Sequence, residues 1–144
     1  MRHIILGAND TIGPWVSRET GGSYVPGSGQ TIALFDGDNL LAAVLYDTFN
    51  GANIHMSVAA VPGARWLNRE FLRVAFEYPF LQLGVKRITG MVAESNHQAR
   101  KFDEHLGMEL EATLLNAHPD GNLLIYVMHR DKCRWINNVR LKNG

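Results

Sequence analysis

The chain has 144 residues, enough for one domain with a sizeable core. Its 14 basic and 14 acidic side chains balance, which argues against a dedicated nucleic-acid binder. The single cysteine, Cys133, excludes an intramolecular disulfide and a multi-cysteine zinc site, and it fits a reducing compartment. The first apolar run is too short for a signal peptide or a membrane span, so we expect a cytoplasmic protein without a membrane partner.

The first half of the chain predicts a strand, a helix and three further strands. Asn9 or Asp10 can cap the helix, which runs through Val16. The turn chemistry of Asp36-Gly37 and of Asn50-Gly51 marks two tight connections between strands. We expect the strands at residues 3–6, 32–35, 40–47 and 53–61.

The second half predicts two helices and three strands. Pro62 and Gly63 end the preceding strand, and a helix is expected from about Arg65 to Tyr78. A strand at 87–93 is followed by a helix that Gly107 ends, by two more strands to about residue 128, and by a polar tail at 130–144. The order indicates an α/β fold, with a mixed and mostly antiparallel sheet flanked by helices, in a single domain over residues 1–144.

The most informative stretch is residues 87–111, RITGMVAESNHQARKFDEHLGMELE. It combines a strand, a helix that starts at Asn96, and a Leu-Gly-Met exit. This unit resembles the second half of the acetyl-CoA site in the GNAT family, the Gcn5-related N-acetyltransferases. With the later run HPDGNLLIYVMHRDKCRW, the chain is similar to phage-encoded Rim-type members over residues 39–135. The resemblance implies an acyltransferase fold, acetyl-CoA as co-substrate, and the cytoplasm of a bacterial host.

The junction after the strand 53–61 is the candidate pyrophosphate site. A strand that turns directly into a helix presents free N–H groups at the positive end of the helix dipole. In the family an Arg or Gln and two spaced glycines cradle the coenzyme A pyrophosphate here, whereas this chain keeps one glycine; an ordinary strand–helix turn is the alternative. The expected cofactor-binding residues are Val61, Gly63, Ala64, Arg65, Trp66, Asn68, Arg69 and Asn96.

Two residues are expected to be catalytic. His55 falls where Gcn5-like members carry a catalytic Glu, and an imidazole is suited to deprotonate an acceptor ammonium. The alternative is a strand histidine without a role. Asn96 matches the family Asn that bonds the pantetheine or the departing thiol, and it can also cap a helix. The scattered histidines do not suggest a metal site.

Asp103 stands where the family carries a tyrosine that protonates the leaving thiolate. We expect it to be a poor equivalent, so that the thiolate departs as an anion or takes its proton from water or another group.

These features predict transfer of an acetyl group from acetyl-CoA to a primary amine, on a protein N-terminus, a lysine or a small molecule. The strands 53–61 and 87–93 are expected to splay, so that the pantetheine enters between them and pairs with the backbone of residues 57–61. The rival hypothesis is a catalytically inactive interaction or structural protein of the same fold. It is favoured by the altered phosphate loop and the missing tyrosine. The acceptor, and whether the chain forms a homodimer, stay open.

Overall fold

The computed structural model describes residues 1–66 and 68–136, which form one seven-stranded sheet with three α-helices. The strands are β1 (Arg2–Leu6), β2 (Gly29–Asp36), β3 (Asn39–Asp47), β4 (Asn53–Ala60), β5 (Arg87–Ala93), β6 (Glu109–His118) and β7 (Gly121–His129). The helices are α1 (Asn9–Thr20), α2 (Arg69–Glu77) and α3 (His97–Leu106). The predicted order of elements and the predicted fold class are confirmed.

The strands lie in the order β1-β2-β3-β4-β5-β7-β6. All neighbouring strands are antiparallel except β4 and β5, which are parallel because α2 crosses over between them. Among the described strands, the parallel pair is therefore the one place where the carboxyl ends of two adjacent strands meet.

The sheet is covered on both faces, and alternation along β4 decides which side chains go where. Ile54 and Met56 pack into the larger apolar cluster, which holds Phe71 of α2 and Leu106 of α3. Ala59 belongs to the smaller cluster formed against α1. The even-numbered residues of β4 thus face α2 and α3, and the odd-numbered residues face α1. We name these two sides the α2/α3 face and the α1 face.

Two predicted helix starts are corrected. The helix expected from about Arg65 begins only at Arg69, because the extended residue Asn68 caps it with its side chain. It ends at Glu77 and continues as a π-helical turn, Tyr78–Gln82. At α1 the cap position is Ala8, since the side-chain oxygen Oδ1 of Asn9 accepts hydrogen bonds from the N–H and the hydroxyl of Thr31 instead.

The tail was predicted to be polar, and for Cys133 this is wrong. Its side chain is buried in the larger apolar cluster, and burial raises the pKa of the thiol to about 11. Trp135 anchors this segment by donating its indole N–H to the carbonyl oxygen of Leu106 at 2.9 Å. Residues 137–144 of the predicted tail lie outside the described residues. Within the described part, no helix is long and apolar enough to cross a membrane.

Phe76 tests the larger cluster, because its side chain is fully buried on α2. Phe76→Ala is expected to lower the free energy of unfolding by about 3–5 kcal/mol, through lost burial and the cavity left behind. Urea denaturation measures this. The matched control is Phe49→Ala, which removes a ring that is 52% exposed and should change stability by less than about 0.5 kcal/mol. Equal losses in both variants would contradict the described core.

Candidate functional site

The parallel strands β4 and β5 separate after a short paired stretch. Both strands continue beyond it, but the ladder between them stops. We name the space between residues 56–60 of β4 and 90–93 of β5 the fork. The paired residues at its base are Asn53 with Arg87, Ile54 with Ile88, and His55 with Thr89.

The edge of β4 that lines the fork carries free backbone groups. At one end of the strand Val61 donates its N–H to Leu41, next to β3, at 2.8 Å. At the other end the carbonyl oxygen of Ala52 accepts from the segment that leads into β5. The backbone N–H and C=O groups of successive residues point to opposite sides of a strand. Those of the odd-numbered residues of β4 therefore bond to β3. Val58 and Ala60 therefore direct N–H and C=O groups into the fork, where no described residue pairs with them.

The loop after β4 starts with a tight turn. Pro62 and Gly63 form its centre, and the N–H of Ala64 donates to the carbonyl oxygen of Val61 at 3.1 Å. Gly63 has a φ of +78°, which the third position of a type II turn requires and which glycine adopts without strain. The turn sends the chain away from the sheet immediately beyond the fork.

The start of α2 is partly satisfied by the chain itself. The side-chain oxygen of Asn68 accepts a hydrogen bond from the N–H of Phe71 at 3.1 Å. One of the N–H groups that we expected to bind a phosphate is therefore already hydrogen-bonded. The cap leaves the N–H groups of Arg69 and Glu70, which precede Phe71 in the first turn of the helix. The side chains of Arg65 and Arg69 are exposed at this junction.

Trp66 connects the two helices beside the fork. Its ring lies 4.8 Å from that of Phe102 on α3 and 6.4 Å from that of Phe71 on α2, measured between centroids. The loop after β4 thus touches the helix after β5, on the α2/α3 face. This contact accounts for a large aromatic side chain in the loop.

Asn96 lies at the carboxyl end of β5 and is the N-cap of α3. Its side-chain oxygen accepts from the N–H of Ala99 at 3.1 Å, and its own N–H donates to Ala93 at 2.9 Å. The side chain is exposed, and no described residue accepts a hydrogen bond from its amide nitrogen. Asn96 therefore has the capping role, and its amide N–H₂ remains available to a ligand.

His55 lies at the base of the fork, on the α1 face. Its Nδ1 atom is 2.9 Å from Oδ1 of Asp47, the residue directly opposite on β3. The hydrogen bond to His55 lowers the pKa of the Asp47 carboxyl. The second ring nitrogen, Nε2, is buried and has no partner among the described residues. When Nδ1 carries the ring proton and donates it to the Asp47 carboxylate, Nε2 carries the lone pair and can accept a proton.

Asp103 lies near the base of the fork as well, but on the α2/α3 face, opposite to His55. Its Oδ2 atom is 3.7 Å from the point that a Cβ atom would occupy on Gly90, the first residue of β5 beyond the pairing. Burial, followed by the nearby charge of Glu104, raises the pKa of the Asp103 carboxyl to about 7. This environment favours the protonated form of the carboxyl, and the role of Asp103 at the position of the family tyrosine stays a prediction.

The structure thus gathers the predicted residues into two groups. Residues 61–66, 68 and 69 follow the carboxyl end of β4, and Asn96 follows that of β5, at the open end of the fork, whereas His55 lies at its base. Sequence reasoning missed Asp47, because its contact depends on the register of β3 and β4. The turn signal at Asn50-Gly51 could have given this register if the loop length had been known.

No protein-family model matches the sequence, and no curated protein matches it in a sequence comparison. Solved structures match it in fold. A mutant of the spermidine N-acetyltransferase SpeG from Vibrio cholerae has a TM-score of 0.74 at 14% identity, covering 94% of this chain and 96% of that chain. The N-acetyltransferase PseH from Campylobacter jejuni, in complex with acetyl coenzyme A, has a TM-score of 0.57 at 13% identity, covering 72% of this chain and 70% of that chain.

The chain has the fold of the GNAT N-acetyltransferases. At these identities the likeness establishes the fold, so the chemistry has to be argued from the site. Among the described residues, no group of three or more His, Cys, Asp or Glu side chains is placed to hold a metal ion.

The Asp103 carboxyl makes stability depend on pH. Its folded pKa, about 7, lies above the unfolded value near 3.9, so the folded state binds more protons between these pH values. Stability therefore falls as pH rises through this window. Between pH 5 and pH 8 the wild type should lose about 1–2 kcal/mol relative to Asp103→Asn, after allowance for solvent screening. Urea denaturation at both pH values measures the loss.

The matched control for this prediction is Asp131→Asn, which changes an exposed aspartate after β7. It should keep the wild-type pH dependence. Identical curves for the wild type and Asp103→Asn would show that the Asp103 carboxyl stays ionised throughout this range.

Proposed function

We propose that the chain is an acetyl-CoA-dependent N-acetyltransferase that acts on a primary amine. The observation that carries this proposal is the free edge of β4 in the fork. Val58 and Ala60 offer N–H and C=O groups that an extended ligand with its own amides can pair with, as an added strand would. The pantetheine arm of coenzyme A is such a ligand. We expected the backbone of residues 57–61 to pair with the pantetheine. Within that range we assign the pairing to Val58 and Ala60, because the odd-numbered residues bond to β3.

The dimensions of the fork fit this ligand. Residues 56–60 of an extended strand present an edge of about 16 Å. The pantetheine arm has about a dozen bonds between its phosphate oxygen and its sulfur, as many as four residues of chain, and spans about 14 Å when extended. With the phosphates at the junction 61–69, the sulfur end therefore reaches the base of the fork, beside His55.

The open end of the fork supplies groups for the phosphates. The start of α2 offers N–H groups at the positive end of the helix dipole, and Arg65 and Arg69 add exposed guanidinium groups. The predicted cofactor-binding residues of this junction, with Trp66 and Asn68, keep that assignment as part of the proposal. The amide of Asn96 is assigned to the coenzyme from the β5 side.

The chemistry at the base of the fork fits attack by an amine. An ammonium acceptor must lose a proton before its nitrogen can attack the thioester carbon. Asp47 orients the imidazole of His55, and Nε2 is the atom assigned to take this proton, directly or through a water. The spermidine N-acetyltransferases of the same fold act on an amine, which makes spermidine a reasonable first acceptor to test.

Coenzyme binding is tested by removing one N–H group from the fork. Val58→Pro loses the N–H that points toward β5 but no hydrogen bond to β3, so the fold should persist. Acetyl-CoA affinity should fall by about 0.5–1.5 kcal/mol, the net value of one hydrogen bond. Isothermal titration measures this. Val58→Ala is the matched control, since it shortens the side chain and keeps the N–H.

The same titration separates the proposal from its rival. A wild-type protein that gives neither heat nor a thermal shift with millimolar acetyl-CoA would be the inactive interaction or structural module. Equal affinities of Val58→Pro and Val58→Ala would instead move the coenzyme away from the edge of β4.

The base is tested at His55. His55→Gln keeps a polar side chain beside Asp47 but cannot take a proton, so kcat should fall by about 10²- to 10⁴-fold while acetyl-CoA affinity stays the same. Asp47→Asn should cost about 10- to 100-fold, because the imidazole loses the carboxylate that fixes its orientation. Thiol release from acetyl-CoA, with spermidine as acceptor, measures both rates.

The control histidine is His118, which also lies near an aspartate, Asp120, at 3.9 Å in the β6–β7 hairpin. His118→Ala should keep wild-type turnover. Full turnover of His55→Gln would show that the acceptor arrives neutral or loses its proton elsewhere.

A further inference from the structure

The acceptor has to reach His55 from the α1 face, and helix α1 covers one part of that face. It packs against β2, β3 and β4, where Ala43, Leu45 and Ala59 are buried beneath it. On the other side of the fork, the same face of β5, β7 and β6 carries side chains that are partly or largely exposed. Among the described elements, the open approach to His55 therefore runs over these three strands.

Six apolar side chains form a regular array on this open part of the face. Strand pairing places them in two rows, Met91–Ile125–Ala112 and Ala93–Leu123–Leu114. They lie on the α1 face because the alternate residues of β7 pack into the larger apolar cluster on the opposite face. Met91 is 53% exposed, Leu114 is 42% exposed, and the other four are half-buried. We name these six residues the shelf.

The shelf begins at the fork. Met91 lies in the part of β5 that lines the fork, two residues beyond Thr89, which pairs with His55. Side chains two residues apart on a strand are neighbours on one face, so the first row of the shelf follows directly after the base of the fork. An acceptor whose nitrogen lies at His55 would therefore extend the rest of its chain over the shelf.

Polar pairs border the shelf along both of its open sides. On the side of the base, the Arg87 guanidinium donates to Thr89 of β5 at 3.2 Å and to the Glu111 carboxylate of β6 at 2.7 and 2.8 Å. On the far side, the amide of Asn122 donates to the Glu94 carboxylate at 3.2 Å. A second ammonium group on the acceptor would have to compete with these partners. Over the apolar side chains it would lose water without gaining an ion pair.

The size of the shelf fits a small ligand better than a protein. Three strands about 4.8 Å apart and two rows about 7 Å apart give a surface of about 200 Å². A stable protein interface needs about 800 Å² on each partner. An extended alkyl chain of eight carbons, about 10 Å long, spans the three strands. The backbone groups of these strands pair with one another, so the shelf offers apolar side chains and no partners for a peptide backbone.

We propose that the shelf receives the hydrocarbon part of the acceptor, so that the chain acetylates primary amines with a single ammonium group on an apolar chain in preference to polyamines. This inference rests on the proposed acetyltransferase function and adds the chemical class of the acceptor to it. Apolar patches with a polar border are typical of ligand-binding surfaces.

A set of matched amines tests the class of acceptor. With saturating acetyl-CoA, kcat/KM from thiol release should be about tenfold higher for n-octylamine than for n-butylamine. Each methylene that leaves water contributes up to about fourfold, and one side of the chain stays exposed. Diaminoheptane with its amines at the two chain ends has the length of n-octylamine. Its kcat/KM should be at least about tenfold lower, because its second ammonium group has to lie on the shelf.

A charge placed on the shelf tests its position. Leu114→Glu puts a carboxylate in the second row, so kcat/KM should fall for n-octylamine and rise for diaminoheptane, which reverses the preference. General loss of structure lowers both values and cannot produce this reversal. Met91→Gln, at an exposed position of the first row, should lower kcat/KM for n-octylamine about three- to tenfold. The matched control is Leu115→Glu, which changes the neighbouring, 75% exposed leucine outside the shelf and should keep the wild-type values for both amines.

The outcomes separate this inference from the proposed function. Absence of thiol release with every amine, spermidine included, would overturn the proposed function and the role of the shelf with it. Release with equal kcat/KM for n-octylamine, n-butylamine and diaminoheptane would overturn the role of the shelf alone. Sedimentation should show a wild-type monomer, and a dimer that Leu114→Glu dissociates would show that a second copy of the chain covers the shelf instead.

Discussion

The separation of β4 from β5 is the constraint on which the site depends. Leaving backbone groups unpaired in the middle of a sheet costs about 1–3 kcal/mol for each buried group without a partner. The contacts of the two helices that follow these strands oppose that cost. Trp66 packs between Phe71 of α2 and Phe102 of α3, and Leu106 is buried in the same cluster. The sheet therefore gives up its hydrogen bonds where the helices gain apolar contacts, and an edge forms inside the molecule.

A fork inside a sheet is open to chemistry from both faces, and this follows from the period of two along each strand. His55 points to the α1 face, where Asp47 lies beside it on the neighbouring strand. Asp103 reaches the same level from α3, on the α2/α3 face. The His55 imidazole thus meets a carboxylate that fixes its tautomer, whereas the Asp103 carboxyl meets apolar contacts and the like charge of Glu104. Burial and that like charge favour the protonated form of the Asp103 carboxyl.

The order and type of the elements could be predicted because hydrophobic periodicity and turn residues are local signals. The starts of α1 and α2 could not be predicted. The Asn9 side chain accepts a hydrogen bond from Thr31, 22 positions later in the chain, and Asn68 caps α2 although the apolar pattern begins before it. Cys133 was misplaced for a similar reason, because a polar neighbourhood in sequence can lie against the core. In the site, His55 could be proposed from the sequence because the family resemblance places a catalytic residue at its position, whereas Asp47 needed the strand register. The raised pKa of Asp103 needed the burial that packing alone creates.

The junction between β4 and α2, the candidate phosphate site, differs from the family pattern. This difference changes which groups would contribute the free energy of coenzyme binding. The Asn68 side chain takes the N–H of Phe71, so a phosphate at this helix would find fewer free donors than an uncapped start provides. The dipole and the two exposed arginines remain, but exposed charges are screened by salt. The N–H and C=O groups of Val58 and Ala60 lie in the fork, where water competes less, so each hydrogen bond there counts for more. Binding of a coenzyme would therefore depend more on the edge of β4 and less on the phosphate loop, and it would tolerate the loss of a spaced glycine.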